Sequence, residues 1–167
     1  TAFPAVELDP EDPALMMYTS GTTGTPKGGL STQRAVCQSL VNIDCQAMAS
    51  AMVNPEAIGA MMKKGYPPTQ MLAVPLFHVS GCHAAFLAAL RSARRIVMMY
   101  KWDVQKALEL IERERVTALS AAPSMLIELL ESPLFERYDT ASLSSVAGGG
   151  SATPPRAARL FLDKVPE

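Results

Sequence analysis

Short apolar runs that alternate with amphipathic stretches constrain this chain more than any other feature. Residues 14–19, 71–74, 94–100, 116–120 and 144–147 are apolar runs with little polar alternation, the pattern of strands buried on both faces. Between them, apolar residues recur at helical spacing. Val36, Leu40, Ile43 and Ala47 form one stripe, and Val104, Ala107, Leu108 and Ile111 a second. Met125, Leu126, Leu129 and Leu130 form a third, Ala157, Leu160 and Phe161 a fourth, and residues 82–90 suit a further helix. Ser31, Asp103 and Thr153 are the predicted N-caps, with Pro123 and Pro154 as first helical residues. Pro55 ends or kinks the first helix, and the K-K-G-Y-P-P stretch at 63–68 reads as an exposed turn. Glu109 and Arg113 are spaced for an i,i+4 ion pair. Strand and helix in alternation predict βαβ units: an α/β fold with a mostly parallel sheet and helices on its faces.

Composition narrows the class. With 167 residues, 49% hydrophobic and 19% charged, the chain is a globular domain with enough length to bury a core. A net charge of −1 gives no electrostatic case for nucleic acid or an anionic membrane. No apolar run reaches the ~18 residues of a membrane span. Cys37, Cys45 and Cys82 form no C-x-x-C pair, and an odd count argues against a disulfide framework, which points to a reducing, cytoplasmic setting. Thr1 is not an initiator and the chain stops just past a helix-like stretch, so it reads as an excised piece of a longer protein.

Residues 18–28 read Y-T-S-G-T-T-G-T-P-K-G. Gly21, Gly24 and Gly28 let the backbone come close to a ligand. Thr19, Ser20, Thr22, Thr23 and Thr25 offer hydroxyls, and Lys27 adds a positive charge behind the stiff Pro26. Successive free N–H groups in such a loop suit an anion, so the composition asks for a polyphosphate. The nucleotide P-loop G-x-x-x-x-G-K-[ST] does not fit: counted from Gly21, Pro26 and Gly28 stand where a Gly and a Ser/Thr belong. A flexible Gly/Thr linker is the bland alternative, against which stands the strand-like run directly before it.

Two other loops follow strand-like runs: P-L-F-H-V-S-G at 75–81, and G-G-G-S at 148–151. Ligands of open parallel sheets bind beyond the carboxyl ends of the strands, so the loops 19–28, 75–81 and 148–151 are predicted to converge.

Together these segments resemble the adenylate-forming superfamily of acyl-CoA synthetases, aryl-CoA ligases, luciferases and peptide-synthetase adenylation domains. Residues 18–28 are similar to its phosphate-binding signature, and 75–81 to a second signature of its acyl-CoA synthetases. The resemblance covers essentially the whole chain, as part of the family's large N-terminal domain, the C-terminal domain being absent. It implies that Thr19, Ser20, Gly21, Thr22, Thr23, Gly24 and Lys27 hold the phosphates of ATP. It also places His78 beside the acyl pocket, and Gly148, Gly149 and Gly150 in the turn under the adenine ring. A core histidine and a tight strand–helix turn are the structural alternatives for these two. His83 has no motif context and reads as structural, and the ten methionines as core filler.

The chemistry implied by the resemblance has two steps. A carboxylate attacks the α-phosphate of ATP, with Mg²⁺ assisting, to give an acyl-adenylate and pyrophosphate. Coenzyme A then displaces AMP. The family's Tyr-Gly-x-Thr-Glu segment, its ribose-binding Asp and its catalytic Lys have no counterpart here, so no catalytic residue and no metal ligand is assigned, and the piece alone is expected to be inactive. The reading is an internal fragment of an acid–CoA ligase, a fatty acid being the favoured substrate. A non-catalytic nucleotide-binding or interaction module, or an adenylation domain for an aryl or amino acid, is the alternative.

Overall fold

The computed structural model describes residues 5–19, 24–148, 152 and 154–165. Four parallel strands form the central sheet in the order β4 (Arg95–Met98), β3 (Thr69–Leu72), β5 (Ala118–Ala121), β6 (Ser145–Gly148). Leu72 pairs with Met98 on one side and Ser120 on the other, and Ser120 pairs with Ala147, so all four strands run out at one edge. The predicted α/β architecture with a parallel sheet is what these residues build.

Both faces of the sheet are covered. On one, Met71 and Leu119 pack with Leu108 and Ile111 of α4 (Val104–Glu114) and Leu126, Leu129 and Leu130 of α5 (Pro123–Glu131) in a single buried cluster. α6 (Pro155–Lys164) packs beside α5 and adds Leu160 and Phe161 to it. The opposite face carries Gln70, against Ala84 and Ala85 of a π-helix (Ser80–Leu87) and Ala88 and Ala89 of α3 (Ala88–Arg91), with α1 (Gln33–Val53) outside them. Helix alanines let these backbones come close to the sheet. The Gln70 amide is satisfied there, donating to the Ser120 hydroxyl at 3.1 Å and to the Met71 carbonyl at 3.0 Å.

Four sequence expectations are corrected. The run 14–19 is not a buried parallel strand: β1 (Pro13–Tyr18) pairs antiparallel with β2 (Gly28–Thr32), apart from the main sheet, and most of it is exposed. Local periodicity reports an apolar run, whereas its partner is chosen by a turn and by what covers the pair. The N-cap of α1 is Thr32 rather than Ser31, its hydroxyl accepting from the Ala35 N–H at 3.3 Å. Glu109 is held by Lys106, whose ammonium lies 2.8 Å away and keeps the carboxyl below its ordinary range with help from Gln105, while Arg113 turns to Glu114. Helix α6 starts at Pro155 with Pro154 as its cap; Thr153 lies outside the described residues.

The Asp103 cap stands as predicted, accepting from the Lys106 N–H at 2.8 Å, and Pro123 opens α5. A new helix, α2 (Pro55–Lys63), starts at Pro55. Among the described residues no helix is long and apolar enough to cross a membrane.

Candidate functional site

Thr19 and Lys27 stand where β1 ends and β2 begins in the β1–β2 hairpin. Its stem is closed by the Thr19 N–H donating to the Lys27 carbonyl at 2.9 Å, while the Lys27 N–H reaches the Thr19 hydroxyl at 3.4 Å. Thr19 and Lys27 thus face each other where the chain leaves and re-enters the hairpin. The Lys27 side chain is exposed, and among the described residues no carboxylate pairs with it. An ammonium so placed is available to an incoming anion. Gly24 holds φ +154°, and among the described residues no atom beyond its chain neighbours lies within 4 Å of where a Cβ would stand. Ser20, Gly21, Thr22 and Thr23 lie outside the described residues. A Cβ at Gly28 would sit 2.9 Å from the sulfur of the exposed, flexible Met16 side chain, which could shift to make room.

Residues 73–81 leave the carboxyl end of β3, at the same edge from which residues beyond Gly148 leave β6. His78 is exposed, its ring 5.1 Å from that of Phe77 and tilted by 44°. Its carbonyl accepts from the Cys82 N–H at 2.8 Å, starting the turn that leads into the π-helix. The backbone of Gly81 packs so tightly under this loop that a Cβ would lie 2.2 Å from the Pro75 carbonyl oxygen. Leu76, Phe77 and Val79 are all exposed beside His78. An imidazole amid exposed apolar side chains can receive a molecule with an apolar body and a polar head.

Gly148 ends β6 opposite Ala121 and lines an apolar cavity of about 290 Å³ with Val146, Leu126, Leu130, Ala157 and Phe161. Gly149 and Gly150 lie outside the described residues.

The geometry therefore brings the 75–81 loop and Gly148 to one edge of one sheet. The strands flanking the 19–28 segment instead form their own two-stranded sheet, joined to the rest through α1, which packs against the π-helix. Asp44 of α1 and Arg91 of α3 clasp that junction at 2.7 Å, the carboxylate holding the guanidinium above its ordinary pKa. Among the described residues, no group of three or more His, Cys, Asp or Glu is placed to hold a metal ion.

The sequence reads His83 as structural. It is only 7% exposed, and its Nδ1 is buried without a hydrogen-bond partner among the described residues. The sequence carries no signal for it, since Ser80 and Cys82 stand within three residues on the same helix.

Comparison with known proteins agrees with this layout. Residues 1–167 match the AMP-binding enzyme family. The 4-coumarate–CoA ligase 1 of Solanum tuberosum is 30% identical over 149 residues, covering 89% of this chain and 25% of that protein. The inhibitor-bound N-terminal domain of FACL13 from Mycobacterium tuberculosis superposes with a TM-score of 0.74 at 26% identity, over 96% of this chain and 36% of that one. The o-succinylbenzoate coenzyme A synthetase MenE from Bacillus subtilis, in complex with AMP, does so at 0.63 and 28% identity, over 98% and 38%. The chain spans about a quarter of the length of the curated relatives it matches. Matched from its first residue to its last, this chain belongs to the AMP-binding family of adenylate-forming enzymes.

Proposed function

We propose that the intact protein is an ATP-dependent acid–CoA ligase. Most of the demand in such a reaction is to bring two anions together, a carboxylate and a triphosphate, by positioning and charge neutralisation. In this reading Lys27 meets the β/γ end of ATP, with Thr19, Ser20, Gly21, Thr22, Thr23 and Gly24 around the phosphates. His78 borders the carboxylic acid, and Gly148, Gly149 and Gly150 lie under the adenine. Mg²⁺ would accompany ATP, and coenzyme A would take the acyl group. The 18–28 segment is the phosphate loop, 75–81 the acyl-side segment and 148–151 the adenine-side turn of one N-terminal domain. The single observation that carries the reading is an exposed Lys27, with no carboxylate partner among the described residues, at the start of β2 in a chain matched throughout by the AMP-binding family.

A fatty acid fits the exposed Leu76, Phe77 and Val79 beside His78. The relatives' names point equally to an aryl acid such as 4-coumarate. Acid-dependent ATP–pyrophosphate exchange by the full-length protein tests the reading with octanoate, palmitate and 4-coumarate. Exchange with any one of them, reduced at least tenfold in Lys27→Ala, supports ligase chemistry through this loop. Folded protein that exchanges with no acid overturns it in favour of a non-catalytic nucleotide-binding module.

A further inference from the structure

Ligands of open parallel sheets gather beyond the carboxyl ends of the strands, and β4, an edge strand, delivers its last residues to the rim of that edge. Met98 of β4 pairs with Leu72 of β3, so Met99, Tyr100 and Lys101 leave β4 beside the place where residues 73–81 leave β3. Val97 and Met99 pack against the core cluster that α4 and α5 cover. Met98, between them, is exposed on the other face, the one that Gln70 shares with the π-helix. Tyr100 comes two residues later and is 107% exposed, as open to water as in an extended peptide. Lys101 is exposed too, and among the described residues no carboxylate pairs with it. A free aromatic ring next to a free ammonium, at the ligand edge of the sheet, matches a base that carries phosphates.

We propose that Tyr100 and Lys101 form the outer subsite for the nucleotide end of coenzyme A, the ring stacking on the purine and the ammonium meeting its phosphates. This rests on the reading of the intact protein as an acid–CoA ligase. In that reading ATP takes the 19–28 segment and the turn after β6, and β6 lies three strand spacings from β4, about 14 Å. A ring and a cation at β4 therefore serve a second nucleotide. The acid lies at the end of β3, next to β4, so a thiol on a long arm reaches it from the rim while the bulky anionic end of the same molecule stays outside. Lys101 tells against the apolar body of the acid as the occupant, because that body would give its ammonium no partner.

The test uses the full-length protein with coenzyme A and with pantetheine, which has the thiol arm but no nucleotide. Adenosine 3′,5′-bisphosphate, the nucleotide end alone, is the binding probe, titrated by calorimetry with AMP present to fill the ATP site. Tyr100→Ala weakens binding of the bisphosphate and raises KM for coenzyme A, each by about tenfold, and Tyr100→Phe, which keeps the ring, restores both. Lys101→Ala raises KM for coenzyme A by about threefold, less as salt is added. Neither alanine variant changes KM for pantetheine. An unchanged KM for coenzyme A in Tyr100→Ala overturns the proposal. So does a rise shared equally by pantetheine, or bisphosphate binding that Tyr100→Ala leaves as it was. These outcomes leave the ligase reading standing, whereas a wild type whose ATP–pyrophosphate exchange responds to no acid removes both.

Discussion

The stripe on α4 and the stripe on α1 look alike in sequence and end differently. Ala107, Leu108 and Ile111 are fully buried between the sheet and α5, whereas no residue of α1 is fully buried, and Val36, Leu40 and Ile43 are half-covered. The difference extends to the neighbourhood. All four residues of β3 are buried, whereas β1 and β2 leave Met16, Tyr18 and Leu30 exposed. A stripe specifies a helix and the face it offers; the number of elements laid against that face decides what it contributes to stability. Here the half built on β3, β5, α4 and α5 carries the core, and the half built on β1, β2 and α1 carries the candidate phosphate loop. Separating a rigid base from a lightly anchored ligand-binding segment follows the general pattern in which binding elements come from the less stable part of a structure.

The largest effect that can break this contrast is in the core. Leu108→Ala is expected to destabilise by about 2–5 kcal/mol, and Leu40→Ala, at a half-covered site, by less than about half as much, as read by urea denaturation. Equal losses would mean that α1 is as well packed as α4. Caps sharpen the comparison at smaller scale. Asp103→Ala should cost about 1 kcal/mol, and Thr32→Ala, whose hydrogen bond is longer, about half that. The smallest effect lies on the surface where α4 ends. Arg115 forms an ion pair with Asp139 and, together with the Ala141 N–H, holds its carboxyl below the ordinary 3.8. A depressed carboxyl contributes above pH 3.8 and loses that contribution as pH falls through its lowered value. Asp139→Asn should therefore lower Tm slightly at neutral pH, with no difference left in strong acid, and added salt should shrink the effect because the pair is exposed.

Much of this molecule is legible in the order of its residues. The runs that became β3 and β5 stand out because a central strand covered on both faces is mostly apolar, whereas β4 and β6, expected to be equally buried, are edge strands that leave Arg95, Met98, Ser145 and Ala147 exposed. Helix α4 is legible because Asp103 caps it and its stripe keeps helical spacing. The loops at 75–81 and 148–151 are legible because Gly and Pro interrupt these patterns. What only the tertiary structure decided is which element meets which. Residues 14–18 are apolar enough for the main sheet, but a return through Gly28 pairs them antiparallel in a hairpin of their own. Glu109 could reach Lys106 or Arg113, and the rotamer that wins depends on Glu114 drawing Arg113 away. His83 reads as one residue of an apolar helix until burial takes its Nδ1 out of water with no hydrogen-bond partner among the described residues. Periodicity and capping are local, so sequence carries them. Pairing and desolvation depend on residues far apart in the chain, and they exist only once the chain has folded.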